Sequence, residues 1–195
     1  MMGWIRNQGS EIRLFLGYVL VTFSPGGKVP SHPQEPWQMG AMIGWSDVEH
    51  RFLIDEARRE IDRQQVEKRD ARARAQIVLT TTLVLGAAIA ASWHDRAKAG
   101  WLPLTLSILA IVLDALAGLA AAGLITGRSA VGGPDLAGLT KCDRVDVVAD
   151  ASKMYANSLF VGAATVAVMV TVLRDCVLVL LLAFAVFVVA FFTVL

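Results

Sequence analysis

The sequence lacks most of what a soluble enzyme relies on. Only 18% of its 195 residues are charged, against about 25% in soluble domains. Its three histidines, His32, His50 and His94, show no metal-ligand spacing, and no P-loop, G-x-S-x-G or paired-cysteine metal motif occurs. Its two cysteines, Cys142 and Cys176, lie in different segments and are interpreted as reduced thiols. These absences predict no catalytic centre, no metal and no cofactor, and the net charge of +1 indicates no nucleic-acid partner.

What the sequence has instead is long apolar stretches. A helix needs about 20 mostly apolar residues to cross about 30 Å of hydrocarbon. Four stretches approach that length, at residues 75–93, 101–125, 155–173 and 176–195. They contain one carboxylate between them, Asp114. The sequence therefore predicts an all-α, polytopic membrane protein, in which domain 75–195 forms four transmembrane helices arranged as two hairpins.

The segment Arg174–Asp175 separates the last two stretches without a glycine or a proline. A single helix through both stretches would be about 60 Å long, twice the thickness of the hydrocarbon layer. This length favours a tight turn at the two charged residues. The longer connection 126–154 is predicted to be a loop on the other side of the membrane.

Basic residues predict the orientation. Regions 45–74 and 126–154 hold twelve Lys and Arg residues, whereas the other two connections hold three, Arg96, Lys98 and Arg174. Loops rich in Lys and Arg stay in the cytoplasm. We therefore expect a multi-pass inner-membrane protein with both termini and the loop 126–154 in the cytoplasm.

The two N-terminal segments differ from the apolar domain and from each other. Segment 1–45 has a short apolar run and then four prolines between residues 24 and 37. It is interpreted as a disordered extension or as the product of a start codon placed too far upstream, with an interfacial anchor and a cleaved signal as alternatives. Segment 46–74 begins with the capping-box sequence Ser46-Asp47-Val48-Glu49 and has no glycine or proline. It predicts a charged cytoplasmic helix that continues into the first span and offers a surface for a cytoplasmic protein partner.

Asp114 is the sharpest candidate for a functional residue. A carboxylate in the middle of a span is costly unless it faces the interior of a helix bundle. Two interpretations stay open: a polar contact that fixes an oligomer, or a group that gates or relays protons or cations. The small-residue pairs Gly86/Ala90 and Gly118/Ala122 let helices approach closely, and we expect a homo-oligomer.

Three further acids lie in the central loop. Asp143, Asp146 and Asp150 have the D-x-x-D-x-x-x-D spacing of the first aspartate-rich motif of intramembrane prenyltransferases. The resemblance implies a magnesium-diphosphate site, because hard cations take oxygen ligands. Cys142 stands where that motif usually has asparagine, and the second motif is missing. A solvated acidic face is favoured, and a membrane enzyme is a remote alternative.

The string Asp70-Ala71-Arg72-Ala73 leads from the charged helix into the first span. Together with the architecture of residues 47–195, it resembles the membrane module of bacterial anti-phage effectors. The likeness is to the Pycsar-effector transmembrane domain, with its D-x-K-A element, and more loosely to SLATT effectors. Arg72 stands in place of the lysine, and no cyclic-nucleotide-binding domain is present.

The resemblance implies that Asp70 and Arg72 are functional and that the protein oligomerises and perturbs the lipid bilayer without catalysis. A small transporter or channel-like protein that uses Asp114 is the alternative.

Overall fold

The computed structural model describes residues 12–20, 22–23, 42, 44–127, 132–133 and 147–193. These residues form helices and no strand, so the all-α prediction is confirmed for this part of the chain. The helices are α1 (12–20), α2 (Asp47–Ala91), α3 (Trp93–Ala99), α4 (Trp101–Thr126) and α5 (Val147–Phe192).

Helix α2 begins at the predicted capping box. The backbone N–H and the hydroxyl of Ser46 both donate to Glu49 Oε2, at 2.7 and 2.8 Å, and the Glu49 N–H donates back to Ser46 Oγ at 3.5 Å. The helix then runs for 45 residues, because no glycine or proline occurs before Gly86. The predicted continuation of the charged helix into the first apolar stretch is confirmed.

The connection between α2 and α4 is itself structured. Helix α3 occupies seven residues of it, and Gly100 follows with a φ of 128°. Side chains rarely tolerate that conformation, so glycine is the residue that lets the chain reverse here. Pro103 lies in the first turn of α4, where its missing N–H costs no hydrogen bond.

Helix α5 departs from the prediction. It runs for 46 residues without a break, and Arg174 and Asp175 lie inside it with their side chains paired at 3.2 Å. The predicted turn at these residues is absent, and the structure confirms neither four spans nor two hairpins. Three of the described helices, α2, α4 and α5, are long and apolar enough to cross a membrane.

The described residues divide into two compact units, and α2 and α5 contribute to both. The charged unit contains residues 44–70 and 147–168, and the apolar unit contains 12–23, 71–127 and 169–193. This division explains the missing turn. Residues 155–168, predicted to form a span of their own, pack beside the charged half of α2, and α5 continues from them into the apolar unit without a turn.

Within the charged unit, α2 and α5 run in the same direction. His50 Nδ1 lies 2.8 Å from Ser152 Oγ, Arg58 Nε donates to the Tyr155 hydroxyl at 3.1 Å, and Gln64 Nε2 donates to the Leu159 carbonyl at 3.1 Å. The partner numbers rise along both helices. This parallel pairing is what joins the two segments.

Within the apolar unit, α4 runs against α2 and α5. Gly86 and Thr82 of α2 approach Asp114 and Gly118 of α4, in reversed order. The core is a cluster of Leu85, Ile89, Ala110 and Ala183, with Leu113, Leu180, Val186 and Phe187 packed around it. Small residues at its centre let the three helices come close.

Helix α1 packs in the apolar unit. Tyr18 is buried, its carbonyl lies against Gly123 of α4, and the Thr22 hydroxyl donates to the Leu119 carbonyl at 2.7 Å. At residues 12–20 the structure thus differs from the predicted disordered extension. The physical reason is Gly123, which has no side chain to hold α1 away from α4. Most of segment 1–45 lies outside the described residues.

Candidate functional site

Asp114 lies inside the apolar unit and is only 7% exposed. Its Oδ2 is 3.2 Å from the place where a β-carbon would stand at Gly86. Glycine at position 86 therefore makes room for the carboxyl group. Asp114 Oδ1 is buried and has no hydrogen-bond partner among the described residues. A buried polar atom without a partner costs free energy, which marks this position as a candidate site.

One helical turn away, α2 and α4 make a second contact of the same kind. Here α4 supplies the glycine and α2 supplies the polar side chain. Thr82 Oγ1 lies 3.0 Å from the β-carbon position of Gly118, and its hydroxyl donates to the Leu79 carbonyl at 2.8 Å. Each helix thus supplies one glycine and one polar side chain to the contact. Asp114 meets Gly86 of its own chain, and its role as an oligomer contact or as a relay stays a prediction.

Arg96 is a buried residue that the sequence reasoning missed. It is 1% exposed, its Nη1 donates to Ser107 Oγ at 3.0 Å, and its guanidinium lies 4.4 Å from the centre of the Phe187 ring. Its Nη2 is buried without a partner among the described residues. The sequence placed Arg96 in a connecting loop, and nothing in the local pattern indicates that α3 carries it inward.

Asp114 and the partner of Arg96 share one face of α4. Ser107 and Asp114 are seven residues apart, which is two helical turns or about 10 Å, and both are buried. The described part of the apolar unit therefore encloses Arg96 and Asp114, each with a polar atom that lacks a partner among the described residues. The Asp114 oxygen has the chemistry to accept a hydrogen bond from water or to take up a proton, whereas the Arg96 nitrogen can only donate, for example to water.

The two residues of the effector-like string do not reach this site. Asp70 is exposed, and Arg72 Nη2 donates to the carbonyl of Gly127 at 2.8 Å. Gly127 ends α4, so the Arg72 cation stabilises the negative end of that helix. Arg72 is 14 residues from Gly86, about 21 Å along α2, and its role in an effector stays a prediction.

The aspartate-rich string is described only in part. Asp143 and Asp146 lie outside the described residues, and Asp150 pairs with Lys153 at 3.3 Å on α5. In the described part of the chain, no group of three or more His, Cys, Asp or Glu residues has the arrangement to hold a metal ion.

The charged unit contains buried polar contacts that sequence reasoning also missed. Ser152 Oγ lies 2.7 Å from the Ala149 carbonyl oxygen and 2.8 Å from His50 Nδ1. The contact with His50 joins the start of α5 to the start of α2. Arg58 lies 5.3 Å from the centre of the Tyr155 ring, and its hydrogen bond to that hydroxyl raises the pKa of the guanidinium further.

Comparison with protein-family models, with curated proteins and with solved structures gives no match.

Proposed function

We propose that this protein is a non-enzymatic integral membrane module that crosses the bilayer three times. The observation that supports this proposal is the unbroken passage of α2 and α5 from the charged unit into the apolar unit. Three crossings require that α2 and α5 run one way and α4 the other, and the contacts within the units have those directions.

The distribution of charge agrees with three crossings. From Trp45 onward, thirteen Lys and Arg residues would face the side of the charged unit, and only Arg96 and Lys98 would lie on the other side. This bias is stronger than the one that four crossings produce. The positive-inside rule then assigns the charged unit to the cytoplasm and the C-terminus to the opposite side of an inner membrane.

The continuous helices suit an effector that is controlled from the cytoplasm. A change in the charged unit would reach the bilayer through α2 and α5, because an α-helix is a stiff element. Val48 and Phe52 of α2 are 76% and 72% exposed beside Trp45, and they border a groove of about 500 Å³. Exposed apolar side chains in an aqueous helix fit a cytoplasmic protein partner.

The proposed action is perturbation of the membrane by a homo-oligomer, as in the anti-phage effectors that the sequence resembles. Large apolar side chains on α2 and α5, among them Leu83 and Leu182, are exposed on the apolar unit. They suit contact with lipid and with further copies of the chain.

Induced expression of the full chain tests this proposal. The protein should resist extraction by alkaline carbonate, and a voltage-sensitive dye should report loss of the membrane potential. Gly118→Val places side-chain atoms against Thr82 and should abolish depolarisation at an equal amount of membrane protein. Gly132→Ala, which meets no atom within 4 Å, is the matched control. A potential that the wild-type chain leaves intact would contradict the effector function.

The orphan Oδ1 of Asp114 favours a second candidate, a small transporter or channel-like protein that uses this acid. In liposomes that contain a pH-sensitive dye, such a protein should carry protons or cations, and Asp114→Asn should abolish the flux while the assembly keeps its mass. In an effector, by contrast, Asp114→Asn should largely preserve depolarisation, since the amide has nearly the shape of the acid.

A further inference from the structure

A groove on the apolar unit combines apolar walls with two arginines. It lies between α2 and α5 and has a volume of about 480 Å³, within the range of about 300–1,000 Å³ that is usual for ligand pockets. Its lining includes Arg74 and Ile77 of α2 and Arg174, Val177 and Leu178 of α5. All five side chains are exposed in the chain.

The apolar part of the groove has the character of a site for an acyl chain. Ile77 is 68% exposed and Leu178 is 57% exposed, and both follow a lining arginine by three or four residues, or about one helical turn. Below each arginine the groove therefore continues along apolar side chains. A single bound chain would cover surface that α2 and α5 leave open.

The two arginines come from different helices and border the same groove. Arg174 donates to Asp175 from Nη2 at 3.2 Å and from Nε at 3.3 Å and takes part in a further interaction, and its guanidinium has five N–H groups, more than the bonds to Asp175 use. No carboxylate of the described residues lies within ion-pair distance of Arg74. Arg74 thus brings to the groove a positive charge that no described carboxylate neutralises, and guanidinium groups bind phosphate oxygens through charge-assisted, bidentate hydrogen bonds.

We propose that this groove binds one anionic phospholipid, with its phosphate at Arg74 and Arg174 and an acyl chain along Ile77 and Leu178. Basic pockets between transmembrane helices on the cytoplasmic side suit anionic head groups. A zwitterionic head group brings its own ammonium beside two guanidinium groups and gains less. The inference rests on the proposed placement of the apolar unit in a membrane.

Lipid exchange in nanodiscs tests the proposal on the full chain. The protein is reconstituted in equal amounts of phosphatidylglycerol and phosphatidylcholine with the same acyl chains, and lipids that stay bound after extraction are counted by native mass spectrometry. The wild-type chain should retain phosphatidylglycerol roughly tenfold more than phosphatidylcholine. Arg74→Gln/Arg174→Gln should remove that preference, whereas Arg59→Gln/Arg63→Gln, at exposed positions of the charged unit, should keep it.

A second pair of variants tests the apolar wall. Val177→Trp fills the groove and should lower the retention of both lipids, while Val189→Trp, an exposed site on the same helix outside the groove, should not. If Val177→Trp changed the mass of the assembly and left lipid retention unchanged, a second copy of the chain would be the occupant and the proposal would be wrong.

Two further outcomes separate this inference from the proposed function. Equal retention of the two lipids by a chain that resists carbonate extraction would overturn the lipid site alone. Release of the wild-type chain by carbonate would overturn the membrane placement and the lipid site together.

Discussion

Arg96 is held by contacts that suit a guanidinium group and no other basic side chain. Its Cζ lies 4.4 Å from the centre of the Phe187 ring and its Nη1 donates to Ser107. Arg96→Lys keeps the charge but loses the broad guanidinium beside the ring and the fixed fork of donors, so it should lower the free energy of unfolding by about 1–3 kcal/mol. Thermal unfolding in detergent measures the change.

The neighbouring Lys98 provides the control for that substitution. Lys98 is exposed on the same short helix, and Lys98→Arg should leave the unfolding temperature unchanged. An equal response of the two variants would show that the contacts of Arg96 contribute nothing to stability.

The two buried charged residues, Asp114 and Arg96, show which buried side chains can be predicted from the sequence and which cannot. Asp114 could be identified because it is the one carboxylate in the predicted spans and because a lipid-facing charge is too costly. Arg96 could not, since its burial depends on how α3 and Gly100 turn the chain before α4 begins. The direction of that turn is set by tertiary packing, and no hydrophobic periodicity in the sequence indicates it.

At the scale of the elements, Gly162 of α5 and Gln64 of α2 form one of the close contacts between the two helices. A β-carbon at position 162 would collide with Gln64 Oε1, and the Gln64 side chain is held by its bond to the Leu159 carbonyl. Gly162→Ala should therefore destabilise the charged unit by about 1–3 kcal/mol, the cost of breaking a buried hydrogen bond.

The sign of this effect should reverse when Gln64 is absent. In a Gln64→Ala background, alanine at position 162 meets no amide and should stabilise the helix by about 0.5–1 kcal/mol, as it does relative to glycine elsewhere. A urea-unfolding double-mutant cycle measures the coupling. Additive effects of the two substitutions would rule out this contact.

The start of α2 should depend on pH. Glu49, in the charged part of α2 outside the apolar segment, accepts the backbone N–H and the hydroxyl of Ser46, and these bonds lower the pKa of its carboxyl group. The stabilisation is therefore complete above the unfolded pKa of Glu, about 4.3, and is lost as the pH falls through the lower folded value. Hydrogen exchange at residues 47–50 should accelerate relative to the rest of α2 in that acidic range.

Glu49→Gln separates this effect from general acid unfolding. The amide still accepts a hydrogen bond but does not titrate, so the variant should show no acidic step at residues 47–50. A step of the same size in both proteins would assign the pH dependence to other groups.

The long helices α2 and α5 show how much of a helix's course can be predicted from local sequence signals. The course of α2 could be predicted from its capping box and from the absence of glycine and proline. The course of α5 could not, because the prediction treated every apolar stretch as a span. Residues 155–168 lie beside the charged half of α2, as the hydrogen bonds at Tyr155 and Leu159 show, and apolar side chains among them, such as Ala156, Val166 and Val168, are buried.

For the molecule as a whole, the position of the C-terminus distinguishes three crossings from four. A reporter that is active only outside the cytoplasm should give a signal when it is fused after Leu195 or inserted at residues 97–100, and none when it is inserted between residues 132 and 133. A silent fusion after Leu195 with a signal at 97–100 would restore the four-span topology that the sequence predicted.

The unbroken course of α5 has a consequence for how this sequence can diverge. One inserted residue turns all later side chains by about 100° against the earlier ones, whereas seven residues return them to within about 20°. Between Leu159 and Phe187, which contact different units, single insertions and deletions should therefore be eliminated by selection. Seven residues also lengthen α5 by about 10 Å against its neighbour α2, so length variants among descendants of this chain should carry matched changes of whole heptads in both helices.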